Sequence, residues 1–363
     1  LETDLVKVCA AILVAWIVLR AVERRWLGAF PLVLGGLVVS ALFLVHKLPA
    51  EKLYGWGRPQ AGTEETRPKG AIEQIGLSIA EFESLKGILK LIGFSYVALR
   101  LVEVLRLTSE GRHPAPDLPS TINYLLPFHM LAAGPIQSYA EFLVQPAVPP
   151  RLSASDALRA TERIALGLFK KFVVANFLKR ALLTDFSATF PYLALEAELF
   201  YLWLYLDFSA YSDITVGAGR LMGVATPENF NRPYIARNLV DFWDRWHISL
   251  SRFIYRNLFL PLQLAFVRRA GPRNALACGA VAFSVSFLLC GLWHELNLRW
   301  LLWGGMHALG LVTVTCYRAW MQRRLGREAW NRYLAHRGIR LGATILTQAF
   351  VAATLLAAFW RAE

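Results

Sequence analysis

Two apolar stretches decide the fold class of this chain: LACGAVAFSVSFLLCGLW at residues 276–293 and WLLWGGMHALGLVTVTCY at residues 300–317, with HELNLR between them. Neither stretch contains Asp, Glu, Lys or Arg. A helix needs roughly 20 apolar residues to cross a bilayer core of about 30 Å. Both stretches are therefore typical of transmembrane helices, here joined by a short turn.

Similar apolar segments recur along the whole chain, and several are too short to cross a bilayer unaided. Such short helices pack inside a larger bundle or re-enter it from one face. We therefore predict an all-α, polytopic membrane protein with a single domain over residues 1–363, and loops at 55–69 and 110–119. The other predicted spans or buried helices are 5–22, 30–45, 87–105, 122–134, 164–183, 192–208, 214–224, 258–267 and 339–360.

The composition also indicates a membrane protein. Hydrophobic residue types make up 56% of the 363 residues and charged ones 18%, against 45–50% and about 25% in soluble domains. The net charge of +13 would suggest nucleic acid on a soluble protein, but here the basic residues lie between apolar runs, as in cytoplasmic loops. We expect no nucleic-acid partner, no disordered chain and no disulfide scaffold.

The four cysteines all lie inside apolar segments and show no C-x-x-C spacing: Cys9, Cys278, Cys290 and Cys316. This pattern predicts small core residues, and neither disulfides nor metal ligands. We expect no metal site.

Charge asymmetry predicts the orientation of the two decisive spans. Arginines precede the first span and follow the second, so by the positive-inside rule both flanks are cytoplasmic. The turn between the spans then lies toward the outer face, and it contains His294 and Glu295. The arginines concerned are Arg268, Arg269, Arg273, Arg318, Arg323, Arg324, Arg327, Arg332, Arg337 and Arg340.

His294 and Glu295 are the first candidates for chemistry, because ionisable residues in a membrane are costly and are functional candidates by default. A neutral imidazole suits a general base near neutral pH. From the residues alone, a histidine that merely caps a helix end is the commoner case. A zinc motif is excluded, since Leu298 takes the place of the second histidine of H-E-x-x-H.

The second candidate is DFWDRWHISLSRFIYR at residues 241–256. As one continuous helix, it places Arg245, Ser249, Arg252 and Arg256 on one stripe and His247 on the opposite, apolar side. We expect the arginine stripe to contact lipid headgroups at the cytoplasmic surface. His247 is either a hydrogen-bonded core histidine, the commoner case, or a group that lines an internal passage.

Three further features are interpreted as structural. Asp207 and Asp213 follow an apolar helix and are expected to pair with cations or hydroxyls of neighbouring helices. The stretch GAGRLMG at 217–223 misses the G-x-G-x-x-G spacing and predicts close helix packing, as do the glycines just before His307.

Taken together, these segments resemble the membrane-bound O-acyltransferase family, in particular its bacterial branch of alginate O-acetylases and D-alanyl transfer proteins, which esterify cell-envelope polymers. The matching motifs follow the family's order within about residues 93–311. They are LAAGPIQ (131–137), DFSAYSD (207–213), PENFNRPY (227–234), FWDRWHISLS (242–251), GLWH (291–294) and LWGGMH (302–307).

The resemblance implies a ring of tilted transmembrane helices around a thin centre, with a funnel on each side and a narrow tunnel between them. It also implies a multi-pass protein of the bacterial inner membrane. In the family, the histidine that matches His294 is catalytic, and the one that matches His247 lies toward the cytoplasmic mouth. The positive-inside argument independently places His294 toward the outer face.

The implied reaction is acyl transfer from a cytoplasmic thioester to an extracytoplasmic hydroxyl. His294 would take the hydroxyl proton as the oxygen attacks the acyl carbonyl, and hydrogen-bond donors would stabilise the oxyanion. No cofactor is expected to be bound, since acetyl-CoA or an acyl carrier protein thioester is itself a substrate. The candidate substrate-binding residues are Asn231, Arg245, Gln137, Glu295, Trp293 and Ser249.

Two departures from the family pattern bear on the acceptor. Glu295 follows the histidine where relatives usually carry Gly, and would either strengthen His294 as a base or contact the acceptor. The chain is also shorter than most relatives, with a curtailed beginning and no long insertion at 258–276.

Acetyl transfer to an extracytoplasmic polysaccharide, directly or through an envelope acyltransferase partner, is the leading hypothesis. D-alanyl transfer from an aminoacyl carrier protein toward teichoic acid is the nearest alternative. Arg245, Arg252 and Arg256 would suit an acidic carrier protein or coenzyme A phosphates equally. A transporter with buried His and Asp as an ion path, or a scaffold without activity, are the non-enzyme alternatives.

Overall fold

The computed structural model describes residues 2–24, 93–131, 134–146, 151–182 and 192–359. Across these ranges the regular elements are helices, apart from one isolated antiparallel bridge between Phe230 and Trp246. The all-α prediction is confirmed for this part of the chain. The predicted span 30–45 and loop 55–69 lie outside it.

The chain divides into two compact units, residues 1–133 with 138–144, and residues 134–137 with 145–363. A single domain over the whole chain stays a prediction. The helices of the first unit are α1 (Glu2–Glu23), α2 (Phe94–Ser109), α3 (Leu118–Leu125) and α4 (Tyr139–Leu143), with a 3-10 turn at Phe128–Met130.

The core of the first unit combines apolar side chains with one buried polar cluster. The carboxylate of Glu103 accepts hydrogen bonds from the Tyr124 hydroxyl at 3.1 Å and from the Tyr139 backbone N–H at 3.3 Å. The predicted helix 122–134 was wrong, because α3 ends at Leu125 and Pro127 follows. A residue before proline is pushed out of helical geometry.

The second unit begins with α5 (Ala154–Phe169), a π-helical stretch (Lys170–Ala175), α6 (Asn176–Leu182) and α7 (Tyr192–Leu221). The segments predicted separately at 192–208 and 214–224 form this one 30-residue helix, α7. At Gly217 an added Cβ would lie 2.8 Å from the carbonyl oxygen of Ala160, so α5 and α7 pack at a distance that a side chain would prevent. The small-residue packing prediction is confirmed.

Asp207 and Asp213 lie within α7 because lysines of the neighbouring π-helical stretch neutralise them. Lys171 Nζ lies 2.6 Å from Asp207, and Lys170 Nζ lies 2.6 Å from Asp213. Arg163 of α5 adds a second ion pair to Asp213 at 3.1 Å. The predicted structural role of both carboxylates is confirmed.

The next elements are a 3-10 turn (Pro233–Ile235), α8 (Leu239–Trp243), α9 (Ile248–Ile254), a π-helical stretch (Tyr255–Phe259), α10 (Leu260–Ala270) and a 3-10 turn (Pro272–Asn274). The single helix predicted over 241–256 was wrong, since the chain breaks between α8 and α9. The predicted arginine stripe was also wrong, because Ser249, which was placed on it, is only 3% exposed. The burial of His247 is confirmed at 4% exposure.

Three long helices complete the chain: α11 (Ala275–His294), α12 (Leu298–Ala335) and α13 (Arg337–Phe359). Within the described ranges, two stretches are long and apolar enough to cross a membrane, Pro272–His294 and Arg337–Phe359. Residues 300–317 are helical as predicted, but they form part of the longer α12.

Helices α11 and α12 pack closely, as their small residues predict. A methyl group at Gly304 would overlap the backbone carbonyl of Phe287. His307 is buried and hydrogen-bonds to Thr354 of α13 at 3.1 Å, which confirms its packing role. Among the cysteines, Cys278 and Cys290 are buried as predicted, whereas Cys316 is exposed and the prediction was wrong there. The side chain of Cys9 lies outside the described part.

Candidate functional site

The backbone around His247 is shaped by pairing with an upstream segment. The N–H of Ile248 donates to the carbonyl of Asn229 at 3.0 Å, and the carbonyl of Arg245 accepts from the N–H of Asn231 at 2.9 Å. His247 itself takes the left-handed conformation, with φ 44° and ψ 51°. This conformation costs roughly 1–2 kcal/mol for a residue with a side chain. The pairing on both sides holds it in place.

Asn229 organises the polar contacts of His247. This residue is fully buried, and its Oδ1 lies 3.2 Å from His247 Nδ1, 3.2 Å from the Ser249 backbone N and 2.6 Å from Ser249 Oγ. The backbone N–H of Ser249 can only donate, which identifies the accepting atom as the amide oxygen. His247 Nδ1 is therefore the donor of this hydrogen bond, and in the neutral ring the lone pair lies on Nε2.

Ser249 extends this network to the segment that precedes α4. Its Oγ accepts the N–H of Ile136 at 2.9 Å while it donates to Asn229. Gln137, the next residue, is buried and donates from Nε2 to the carbonyl of Ala225 at 3.0 Å. The structure thus brings Ser249 and Gln137, both predicted site residues, to the neighbourhood of His247.

His294 is the last residue of α11, and its ring lies among tryptophans. The imidazole stacks on Trp300 with ring centres 4.6 Å apart and meets the edge of Trp303 at 5.5 Å. Trp293, a predicted substrate contact, lies at 4.8 Å. The imidazole is half-buried, so its orientation is fixed by packing while part of the ring remains accessible.

Glu295 acts on this cluster through Trp300. Its carboxylate accepts a hydrogen bond from Trp300 Nε1 at 3.1 Å. The side chain of Asn297, which caps the start of α12, accepts from the Trp300 backbone N–H at 3.0 Å. Trp300 is therefore held at both its backbone and its ring, and it forms the stacking surface for His294.

Aromatic side chains connect α8, which lies just before His247, with the tryptophans around His294. Trp243 of α8 meets Trp303 at 5.9 Å, and Trp303 in turn meets His294. An aromatic connection thus runs from α8 to the turn between α11 and α12.

A cavity of about 570 Å³ opens beside α9, and we call it the α9 cavity. Asp244, Ser251, Arg252 and Arg256 contribute polar lining, while Trp243 and Phe287 contribute apolar lining. Arg252 and Arg256, which were predicted on a lipid-facing stripe, therefore border this cavity, and Arg252 is exposed. Because Trp243 also touches Trp303, this space reaches the aromatic connection to His294.

Arg245 and Asn231 lie together at the break between α8 and α9. Arg245 Nε forms a 2.6 Å ion pair with Asp241, and its Nη1 donates to the carbonyl of Asn231 at 3.2 Å. The Asn231 side chain is exposed. Asn231 was predicted as a site residue and Asn229 was not, because nothing in the motif PENFNRPY itself distinguishes its two asparagines. Only burial and hydrogen bonding distinguish them.

Within the part of the chain that the structure describes, no group of three or more His, Cys, Asp or Glu is placed to hold a metal ion.

Comparisons with known proteins give the following matches. The sequence model of MBOAT, the membrane-bound O-acyltransferase family, matches residues 76–355. The teichoic acid D-alanyltransferase of Bacillus subtilis (strain 168) is 28% identical over 257 residues, which is 68% of this chain and 61% of that protein. A probable alginate O-acetylase of Pseudomonas aeruginosa is 31% identical over 266 residues, 72% of this chain and 44% of that protein.

The peptidoglycan O-acetyltransferase of Helicobacter pylori is 32% identical over 198 residues, 52% of this chain and 36% of that protein. The chain therefore spans less than two thirds of the length of each of these three relatives.

Proposed function

The chain belongs to the membrane-bound O-acyltransferase family, and we propose that it transfers an acyl group, most simply acetyl, from a cytoplasmic thioester to hydroxyl groups of a cell-envelope polymer. The observation that carries this proposal is the tryptophan-enclosed His294 at the end of α11, joined through Trp303 and Trp243 to a cavity bordered by arginines. The relatives named above are an alginate O-acetylase, a peptidoglycan O-acetyltransferase and a teichoic acid D-alanyltransferase, so the acceptor we propose is a polymer outside the cytoplasmic membrane.

His294 is the proposed general base. It takes the proton of the acceptor hydroxyl while that oxygen bonds to the acyl carbonyl carbon, which gives a tetrahedral oxyanion. Collapse of this intermediate breaks the carbon–sulfur bond, and the protonated imidazole returns its proton to the leaving thiolate. A positioned base of this kind contributes roughly 10²–10⁴-fold to the rate.

His247 is proposed as the second catalytic histidine, on the donor side. Its Nδ1–H is fixed by Asn229, so the lone pair on Nε2 is available to accept a hydrogen bond from the donor. A fixed tautomer removes the need to reorient the ring during the reaction. Asn229 is then a positioning residue that acts through His247.

The α9 cavity is the proposed entry for the thioester. Arg252 and Arg256 offer positive charge to the phosphates of coenzyme A or to an acidic carrier protein. The apolar surface of Trp243 and Phe287 suits the thioester end of either donor. No bound cofactor takes part in this scheme.

We also propose the architecture that the family resemblance implies. The chain would form one domain, a ring of tilted helices around a thin central tunnel, that crosses the bacterial inner membrane several times. The bilayer, the thioester donor and an extracytoplasmic glycan or envelope acyltransferase partner would be its partners.

D-alanyl transfer toward teichoic acid is the second candidate. It is supported by the match to the Bacillus subtilis D-alanyltransferase, of which the aligned part covers 61%. A transporter is the non-enzyme alternative, and it predicts that no ester depends on His294.

The test is mass spectrometry of base-labile esters on the cell-envelope glycans of the host bacterium. Strains would carry the intact protein, no protein, His294→Ala, or the matched control His336→Ala, which removes an exposed histidine. We expect the ester to disappear in the deletion and in His294→Ala, and to persist in His336→Ala at equal membrane levels. The mass of the ester would distinguish acetyl from D-alanyl. An ester that persists in His294→Ala would refute the proposed base.

A further inference from the structure

Helix α12 turns back on itself at Gly326. The hydroxyls of Tyr317 and Tyr333 are 2.8 Å apart, although 16 residues of a straight helix span about 24 Å. Gly326, with φ 71° and ψ 171°, interrupts the helix in a region of backbone space that is essentially restricted to glycine. The ring of Trp330 packs against Tyr317 in the hairpin that results.

This hairpin, the start of α13 and the residues before α8 enclose a second cavity of about 670 Å³, which we call the hairpin groove. Leu309, Val314, Leu346 and Phe350 give it an apolar floor. Its volume falls in the range of cavities that hold small amphiphilic ligands. The floor alone does not identify a ligand, but the charged residues around it do.

Three arginines line the hairpin groove, and they outnumber its carboxylates. These are Arg237, Arg318 and Arg340, all exposed, and Asp241 is the single carboxylate among the lining residues. Asp241 already pairs with Arg245 at 2.6 Å and with Arg237 at 3.7 Å. In the ranges that the structure covers, Arg318 and Arg340 have no ion pair or side-chain hydrogen bond. The groove thus combines an apolar floor with uncompensated positive charge.

The hairpin groove and the α9 cavity have no lining residue in common. Val240, Trp243 and Asp244 line the α9 cavity, whereas Leu239 and Asp241 line the hairpin groove. A ligand in the groove would therefore support α8 without occupying the proposed donor path.

We propose that the hairpin groove binds an anionic phospholipid of the cytoplasmic leaflet. Arg318 follows an apolar helical stretch and Arg340 begins another, at the ends that the positive-inside rule assigns to the cytoplasm. Guanidinium groups bind phosphate oxygens in a bidentate manner, and basic pockets between membrane helices bind lipid headgroups. The acyl chains would lie on the apolar floor. This inference is independent of the proposed acyl transfer.

The test is native mass spectrometry of the purified full chain, titrated with phosphatidylglycerol or phosphatidylcholine. We expect the double variant Arg318→Gln, Arg340→Gln to bind phosphatidylglycerol roughly tenfold more weakly, or worse, and phosphatidylcholine as before. The control pair Arg323→Gln with Arg327→Gln removes the same charge from the same hairpin outside the groove, and should retain binding. Ala343→Trp, which fills the groove without changing its charge, should weaken binding of both lipids.

Three results would overturn the proposal. Equal loss in the control pair would indicate a diffuse surface charge, and equal binding of the two lipids by the unaltered protein would exclude selection of an anionic headgroup. Competition by glycerol phosphate alone would show that the groove takes a free phosphate and not a lipid. Binding by the His294→Ala protein is expected to be unchanged, so failure of the proposed catalysis would not affect this result.

Discussion

Substituting Asn229 by alanine should destabilise the break between α8 and α9 and disable His247 together. The Asn229 oxygen serves three donors in a fully buried place. The Ser249 hydroxyl can rotate to another acceptor, but the Ser249 N–H and the His247 Nδ1–H cannot. Each buried donor without a partner costs about 1–3 kcal/mol. Since the Asn229 Nδ2 has no partner among the described residues, its removal offsets part of this cost, and we expect a net loss of about 2–4 kcal/mol.

Unfolding of the purified protein in mixed micelles of dodecyl maltoside and SDS, followed by the fluorescence of its 12 tryptophans, would measure this loss. The matched control is Asn231→Ala, two residues along in the same motif, where the exposed side chain should contribute less than about 0.5 kcal/mol. Ester formation should fall in Asn229→Ala. Equal stability losses in the two variants, or full activity of Asn229→Ala, would refute the hydrogen-bond assignment.

Three further substitutions test the packing around the site, by the same unfolding and ester measurements. Glu295→Ala removes the hydrogen-bond acceptor of Trp300 and should lower the rate of ester formation about fivefold, which corresponds to the loss of about one hydrogen bond. Glu295→Gln keeps an acceptor and should lower the rate less. Equal rates in both variants would contradict a role of Glu295 through Trp300. Gly304→Ala should cost about 1–3 kcal/mol through overlap with a backbone carbonyl, while Gly305→Ala, next to it, should be tolerated. Asp213→Asn removes both ion pairs of a carboxylate that is 17% exposed and should lower the free energy of unfolding by about 1–3 kcal/mol. An unchanged stability would show that these ion pairs do not stabilise the fold.

The features that were predicted correctly from the sequence depend on the residues of a single segment. The apolar lengths of α11 and α13 and the small residues between α11 and α12 are properties of each segment alone. The burial of His247 followed from the apolar residues around it, and this prediction survived although the continuous helix on which it was based does not exist. The family resemblance, which rests on motifs such as GLWH and FWDRWHISLS, is confirmed by the match over residues 76–355.

The features that sequence missed depend on distant partners. The residues from Asp241 to Arg256 follow a helical pattern, but the chain leaves the helix at His247, where Asn229 accepts hydrogen bonds and Asn231 donates one. The continuity of α7 past its two aspartates depends likewise on cations contributed by preceding helical segments. Gly326 is one exposed glycine in a basic helix, and the reversal of the chain there is seen in the backbone conformation of Gly326 and in the contact between Tyr317 and Tyr333.

The unequal burial of the two histidines gives them unequal roles in the proposed reaction. A general base must carry a positive charge during the cycle, and a buried cation is costly unless it is paired. His247 is 4% exposed, and its Nδ1 contacts only the neutral oxygen of Asn229. His294 is half-buried, and its ring is stacked on Trp300, whose π face favours a nearby cation. In the proposed reaction the proton of the acceptor would therefore go to His294, and His247 would serve as a neutral ring of fixed tautomer on the donor side.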